Sequence, residues 1–260
     1  MAFKKLKLWF DVDLAKLLAK KITEVYPEFN SSSFCKEVES RIDSLELKDR
    51  VEVFADAFHN IINKEFTETV TILLNILGSE NQDETGMFKK FYWIMPIAKF
   101  VEKYGVNDFN TSIKAIKEIT KRNTGEYTIR PYLEKYTKKT LKQMLLWSRD
   151  DNKHVRRLAS EGIRPRLPWA KKLQIFIYTP SLILPVLENL KDDSSKYVQK
   201  SVANCLNDIL KDNEDFGKKI IRNWIEKPTP QRKWILMHAI RNFRKKEIPW
   251  ALEVVKILTN

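Results

Sequence analysis

The chain has 260 residues, of which 43% are hydrophobic, and its 47 Lys and Arg outnumber 34 Asp and Glu, giving a formal net charge of +13. Six glycines are few for phosphate-binding loops, and neither the dinucleotide-binding G-x-G-x-x-G pattern nor a P-loop occurs. The longest apolar stretch, residues 70–77, is too short to cross a bilayer, and no hydrophobic leader follows the N-terminus. Composition therefore argues against the common nucleotide-binding folds and predicts a soluble protein with an ample core.

Apolar residues recur with a period of 3.6 along nearly the whole chain, and no alternating run is strong enough to predict a sheet. The predicted helices lie near residues 11–25, 33–44, 47–63, 66–77, 91–104, 109–122, 126–136, 138–149, 153–161, 170–178, 181–191, 196–211, 214–226, 230–244 and 249–258. The breaks between them coincide with glycine or proline at Pro27, Gly78, Gly105, Gly125, Pro168, Pro180 and Pro228. The pattern predicts an all-α chain of short helices.

A repeat becomes visible once these helices are placed. The segment 147–159 resembles the segment 190–202, and their equivalent residues Val155 and Val198 are 43 positions apart, within the range of HEAT repeats. A degenerate third copy begins near Lys227. Each copy is a helix, an acidic turn and a second helix with a basic opening. We therefore predict a right-handed α-solenoid of HEAT-like repeats, with the second helices on its concave side.

The positive charge is confined to two stretches of the sequence. Residues 121–172 carry 15 Lys and Arg against 5 Asp and Glu, and residues 211–246 carry 11 against 4, whereas the remainder is slightly acidic. The openings of the predicted second helices contribute Arg156, Arg157, Lys200, Arg232 and Lys233. Any one of them could be a solvated cation near a helix end, but their recurrence at the repeat spacing favours a basic concave face that binds nucleic acid.

Two carboxylates have sequence contexts that could serve chemistry. Glu126 follows Thr124-Gly125 at a predicted helix start, where it could equally be a favourable N-terminal charge or a partner for Arg130. Asp208 lies late in a mostly apolar helix, where a carboxylate opposes the helix dipole, although it could be a structural acid paired with a nearby cation. Glu161 stands among arginines that it could orient.

An aromatic side chain, Trp169, follows Pro168 and could be either a core residue or an aromatic plate beside a nucleotide. The two cysteines, Cys35 and Cys205, are predicted to be reduced core thiols. Neither they nor the three scattered histidines have metal-ligand spacing, so we expect no metal.

Several segments resemble the AlkC branch of the HEAT-like-repeat alkylpurine DNA glycosylases, in order over essentially the whole chain. They begin at Leu8 (LWFDVDLAKLLA), Val25 (VYPEFN), Leu47 (LKDRV), Gly125 (GEYTIRPYL), Val155 (VRRLASEGIRPRLPW) and Ser201 (SVANCLND). The ASEG-x-RPRLPW string is the most specific of them. Some members of that family carry an additional C-terminal β-sandwich domain. The chain is interpreted as the short form, a single domain over residues 1–260.

The resemblance implies removal of N3- and N7-alkylated purines, chiefly 3-methyladenine, from double-stranded DNA, with the lesion remaining largely within the duplex. It implies Glu126 and Asp208 as catalytic carboxylates beside the deoxyribose and Trp169 as an aromatic contact to the sugar or the cationic lesion. DNA-binding residues would be Arg130, Arg156, Arg157, Arg164, Arg166, Lys200, Arg232 and Lys233. No metal, nucleotide cofactor or lyase lysine is expected, and the enzyme is expected to act as a cytoplasmic, nucleoid-associated monomer.

Two other functions remain open at this stage. A HEAT-like module could bind nucleic acid without catalysis, in which case Glu126 and Asp208 would do no chemistry. A protein-binding scaffold is a third alternative, since such solenoids often bind proteins, but it explains the confined charge poorly.

Overall fold

The computed structural model describes residues 4–85 and 87–259, and within these ranges all regular secondary structure is helical. The chain divides into two compact units, residues 1–131 and 132–260. The first unit holds α1 (Val12–Val25), α2 (Ser31–Arg41), α3 (Leu47–Ile62), α4 (Phe66–Asn75), α5 (Met95–Tyr104) and α6 (Phe109–Thr120). Helix α7 (Arg130–Lys135) contains the boundary. The second unit holds α8 (Thr137–Trp147), α9 (Lys153–Glu161), α10 (Gln174–Tyr178), α11 (Leu184–Leu190), α12 (Lys196–Asp212), α13 (Glu214–Trp224), α14 (Pro230–Ala239), α15 (Arg241–Lys245) and α16 (Pro249–Thr259).

Three helices of the first unit, α1, α2 and α6, begin at side chains that accept hydrogen bonds from their free backbone amides. The carboxylate of Asp11 accepts hydrogen bonds from the amides of Asp13 and Leu14 at the start of α1, and Asn30 and Asp108 cap α2 and α6 in the same way. The core between α1, α2, α3 and α5 is rich in aromatic residues. Phe34 and Phe58, both fully buried, stack with ring centroids 5.3 Å apart.

The second unit repeats one local design at the start of its second helices. The N-caps of α9, α12 and α14 are Asn152, Ser195 and Thr229. Each of these side chains accepts a hydrogen bond from a backbone amide in the first turn of its helix. The first-helix partners α8, α11 and α13 pack against these three helices, and α12 lies between α9 and α14. The predicted pairing of helices and the placement of the acidic turns before α9 and α12 are therefore confirmed.

Several predicted helix boundaries and the predicted burial of Cys35 are wrong. The helix predicted from residue 126 begins at Arg130, after a turn at residues 126–129, and the helix predicted from residue 170 begins at Gln174. The helix predicted over 230–244 is interrupted at Ile240, between α14 and α15. Cys205 is buried as predicted, but Cys35 is partly exposed because it lies beside, rather than on, the buried Phe34–Val38 face of α2.

The contact between α12 and α13 is close enough to require glycine. A Cβ atom built on Gly217 would lie 2.6 Å from Cδ2 and 3.1 Å from Cα of Leu210, a buried residue of α12. We expect Gly217→Val to lower the free energy of unfolding by about 1–3 kcal/mol, because the added atoms must displace packed neighbours. Urea denaturation measures this, with Lys219→Val on the exposed side of α13 as the control. Equal losses in the two variants would contradict the packing argument.

Candidate nucleic-acid interface

A buried arginine connects α9 to α12 in the second unit. Arg164 follows α9, and its guanidinium donates from Nε to Oδ2 of Asp208 at 2.9 Å and from Nη1 to Oε1 of Glu161 at 2.7 Å. The three side chains are all less than 10% exposed. Arginine stays charged at any pH that a protein experiences, so its burial requires carboxylates beside it. Glu161 and Asp208 meet that requirement.

The two carboxylates of this network differ in their environment. Glu161 is shared by two guanidiniums, since Nη2 of Arg157 also lies 3.6 Å from its Oε1. Within the described part of the chain, Arg164 is the single hydrogen-bond donor to Asp208, and it uses Oδ2 alone. Asp208 therefore has a second oxygen, Oδ1, that accepts no hydrogen bond from those residues.

The pKa values of the two carboxyl groups move in opposite directions. Burial raises the pKa of Asp208 above its ordinary value, and the Arg164 charge and hydrogen bond offset only part of that increase. Burial also acts to raise the pKa of Glu161, but the combined charges of Arg157 and Arg164 outweigh it and the pKa is lowered. Both acids raise the pKa of Arg164 against the effect of its burial. Of the two carboxylates, Asp208 is thus the one whose charge is less compensated.

Trp169 is neither a core residue nor the start of a helix. The residue is 73% exposed, and its backbone has a φ of 62°, a left-handed conformation that is strained for a bulky residue. Strained backbone of this kind clusters at functional sites, where the surrounding structure enforces it. The core-packing interpretation of Trp169 is therefore wrong, and in this conformation the residue cannot belong to a right-handed helix.

Glu126 and Arg130 belong to the first unit. Glu126 lies in the turn before α7 rather than in a first helical turn, and its carboxylate is buried, with 7% of the residue exposed. The hydroxyl of Thr124 donates to Oε2 of Glu126 at 2.9 Å, which fixes the side chain. Arg130, the first residue of α7, is also buried, at 6% exposure.

Three of the predicted DNA-binding arginines are bound to aspartates within the second unit. Arg156 donates from Nε to Oδ2 of Asp193 at 2.6 Å, and Arg166 donates from Nε to both oxygens of Asp212 at 2.8 Å. Arg232 forms a two-point ion pair with Asp192. These contacts join consecutive repeats, because the acidic turn before α12 receives an arginine from α9 and another from α14. Their DNA-binding role stays a prediction.

The remaining predicted basic residues have different surroundings. The guanidinium of Arg157 lies 4.9 Å from the centre of the Tyr197 ring, in addition to its contact with Glu161. Lys200 is exposed on α12, and Lys233 is half-buried on α14.

A second cationic group, which the sequence interpretation missed apart from Lys200, lies where α12, α14 and α15 meet. Its members are Lys196, Lys200, Trp234, His238 and Arg241, and we call it the α12–α14 cation cluster. Lys196 Nζ lies 3.5 Å from the centre of the Trp234 ring, and that ring stacks on His238 with centroids 4.8 Å apart. The sequence signal was present, because Lys196 and Lys200, like Trp234 and His238, are spaced one helical turn apart.

The family of this chain is shown by its similarity to known proteins. Residues 95–243 match the model of a family described as DNA alkylation repair enzyme. The chain belongs to this family. It is 37% identical over 244 residues to the Bacillus subtilis (strain 168) protein described as uncharacterized protein YhaZ, covering 93% of this chain and 65% of that relative.

A solved structure supports the fold. Alkylpurine DNA glycosylase AlkC of Pseudomonas fluorescens, bound to DNA containing an abasic site analog, matches with a TM-score of 0.89 and 35% identity. The match covers 98% of this chain and 69% of that one, so the chain spans about two thirds of the length of both relatives. The predicted all-α, HEAT-like fold and the predicted AlkC-type resemblance are confirmed.

The residues that the structure describes contain neither a candidate metal site nor a membrane-spanning helix. No group of three or more His, Cys, Asp or Glu side chains is placed to hold a metal ion, and no helix is long and apolar enough to cross a bilayer.

The aspartate–arginine pairs between repeats should contribute to stability. The Arg156 and Asp193 side chains are 18% and 5% exposed, so their attraction is only partly screened by water. We expect a double-mutant cycle with Arg156→Gln and Asp193→Asn to give a coupling of about 1 kcal/mol. The exposed Lys16–Asp13 pair, whose charged atoms are 4.0 Å apart, is the control and should give no measurable coupling. Equal couplings would show that the inter-repeat pair has no special role.

Proposed function

We propose that the chain is an alkylpurine DNA glycosylase that hydrolyses the N-glycosidic bond of cationic N3- and N7-alkylated purines, chiefly 3-methyladenine, in double-stranded DNA. The supporting observation is the Asp208 carboxylate, which is buried, is held at one oxygen by Arg164 and has its other oxygen without a hydrogen-bond donor in the described chain. Membership of the DNA alkylation repair family and the likeness to a solved alkylpurine DNA glycosylase support the same assignment.

The reaction requires mainly electrostatic stabilisation from the protein. An N3- or N7-alkylated purine is already positively charged, so it leaves with the electron pair of the C1′–N bond as a neutral base. The sugar then develops oxocarbenium character, a water oxygen bonds to C1′, and a proton is released. A fixed carboxylate stabilises the positive sugar and can accept that proton from the water. A buried carboxylate is effective here, because its field is weakly screened.

Within this proposal, Asp208 is the candidate catalytic carboxylate of the second unit and Arg164 is its positioning residue. The sequence predicted that Arg164 binds phosphate. Because its guanidinium already donates to both Asp208 and Glu161, we propose the positioning role in place of that one. Glu126 is the candidate carboxylate of the first unit. Trp169, exposed on strained backbone, would contact the sugar or the cationic lesion through its π face. With no base pocket required, selectivity would come from the charge and lability of the lesion while the base stays in the duplex.

The assignment of the carboxylates is tested by amide substitution. We expect Asp208→Asn and Glu126→Gln each to reduce excision by on the order of 100-fold, because a neutral amide cannot stabilise the positive sugar. The measurement is single-turnover release of free 3-methyladenine from methylated duplex DNA in EDTA, with DNA affinity measured in parallel. Asp215→Asn, at an exposed carboxylate of α13, is the control. Excision at the wild-type rate by both variants would refute the site, whereas DNA binding without excision by the wild type would indicate a non-catalytic binding module.

The role of Arg164 is tested by the pH profile. Burial raises the pKa of Asp208 and Arg164 opposes that rise, so Arg164→Gln should raise the pKa further. Because the ionised carboxylate is the active form, activity is lost as the pH falls through this pKa, and the acidic limb of the rate profile should move to higher pH in the variant.

Arg149→Gln, at an exposed arginine after α8, is the control for loss of one positive charge. The variants are compared after circular dichroism has shown that both are folded. A lower rate with an unmoved acidic limb would mean that Arg164 supports the fold without tuning Asp208.

A further inference from the structure

Two sets of cations in the second unit differ in their partners. Arg156, Arg166 and Arg232 are each bound to an aspartate, as described above, so most of their charge is already offset. Among the residues that the structure describes, no carboxylate oxygen lies within 4.0 Å of the charged nitrogens of Lys196, Lys200 or Arg241. Arg241 donates instead to neutral acceptors, the carbonyl of His238 at 2.7 Å and Oδ1 of Asn204 at 3.0 Å.

The α12–α14 cation cluster therefore concentrates positive charge to which, among the described residues, no carboxylate is bound. Burial, together with the charges of Arg241, Lys200 and Lys196, lowers the pKa of His238 to about 4, so the imidazole is neutral at pH 7. Burial and the charge of Arg164 likewise lower the pKa of Arg241, with only Asp208 opposing them. Like charges held together in this way cost free energy unless an anion binds among them.

The cluster is also rigidly built. Trp234 lies between Lys196, whose ammonium contacts its ring, and His238, whose imidazole stacks on it at an interplanar angle of 9°. A cation placed on a tryptophan ring keeps its positive charge while losing much of its freedom. Arg241 is fixed at two points by its hydrogen bonds to α12 and α14. Preorganised cations lose less entropy when they bind an anion than mobile ones do.

The position of the cluster along α12 points to its ligand. Lys196, Lys200, Asn204 and Asp208 follow one another at four-residue spacing along α12, so they form a row about 18 Å long that winds roughly 120° around the helix, from the exposed lysines to the buried Asp208. The row thus leads from two lysines that have no carboxylate partner among the described residues, past the Asn204–Arg241 contact, to the candidate catalytic carboxylate. An anion with regularly spaced charges, one end of which must reach Asp208, fits this row. The DNA backbone has that form.

We propose that Lys196, Lys200 and Arg241, held in place by Trp234 and His238, bind backbone phosphates of the DNA strand that leads to Asp208. The inference rests on the proposed function, because that function supplies DNA as the partner. It adds Lys196 and Arg241 to the binding residues, and it assigns Trp234 and His238 as positioning residues. It also makes this cluster, rather than the paired Arg156, Arg166 and Arg232, the main phosphate-binding group of the second unit.

The first test compares two triple variants that lose the same charge. K196Q/K200Q/R241Q removes the cations of the cluster, and K20Q/K36Q/R222Q removes two lysines and one arginine that are exposed elsewhere. Affinity for a short duplex containing an abasic-site analogue is measured by fluorescence anisotropy over a range of salt concentrations. We expect the plot of log affinity against log salt to become shallower by about 2–3 units for the first variant and by less than one unit for the control.

The outcomes separate the inference from the proposed function. Equal salt slopes for the two variants, with a wild-type protein that binds DNA and releases 3-methyladenine, would overturn the inference alone. A wild-type protein that neither binds duplex DNA nor releases the base would overturn the proposed function and the inference with it.

The second test observes His238 directly. At pH 5.5 its imidazole should be neutral in the free protein, and bound phosphates should raise its pKa by offsetting the three cations. NMR of protein with 15N-labelled histidine, with His238→Gln to assign the signal, should then show a shift toward the protonated form when the duplex is added. The same phosphate concentration supplied as inorganic phosphate should leave the signal unchanged. An unchanged signal with saturating duplex, or an equal shift with inorganic phosphate, would overturn the inference.

Discussion

The burial of Arg164 between α9 and α12 is the constraint from which the candidate site follows. A guanidinium that cannot lose its charge must be surrounded by acids, and Glu161 and Asp208 are held beside it for that reason. Removing one member of a buried ion pair typically costs about 3–5 kcal/mol, so the network also ties the two helices together. The interaction that stabilises the repeat interface is the same one that orients the candidate carboxylate.

The distribution of ion pairs decides which cations remain for a polyanion. The adjacent aspartates Asp192 and Asp193, in the acidic turn before α12, bind arginines from α14 and α9, so the turn connects three second helices. The positive charges of those two arginines are thereby largely neutralised. A basic sequence stretch is therefore not equivalent to a basic surface. Lys196, Lys200 and Arg241 are cations with no carboxylate oxygen within 4.0 Å among the described residues, and only one of them belongs to the basic stretches 121–172 and 211–246.

The sequence could therefore predict the basic stretches, but not which of their cations remain available to bind an anion. The all-α repeat could be predicted because it depends on local sequence patterns. These are the helical period, the glycine and proline breaks, and the Val155–Val198 spacing. The string around Glu161 and Arg164 was sufficient for the family. The pairing of Arg156, Arg166 and Arg232 was not accessible, because their partners lie 37–46 residues away. The exposure of Trp169 was missed because a proline before an aromatic residue suggested a helix start, whereas the backbone adopts a left-handed conformation there.

Asp208 shows why a carboxylate can be unusual in both sequence and structure. Its place late in α12 opposes the helix dipole, and its burial raises its pKa, so two effects disfavour the charge that one arginine contact maintains. A purely structural acid would not be stabilised in such a position. A carboxylate that interacts with a transient positive charge attracts it more strongly when nearby cations neutralise little of the carboxylate's own charge. Each further hydrogen bond to Asp208 would stabilise its charge and weaken its attraction for a positive sugar. The single bond from Arg164 is enough to fix the carboxylate in place and leaves most of its field available.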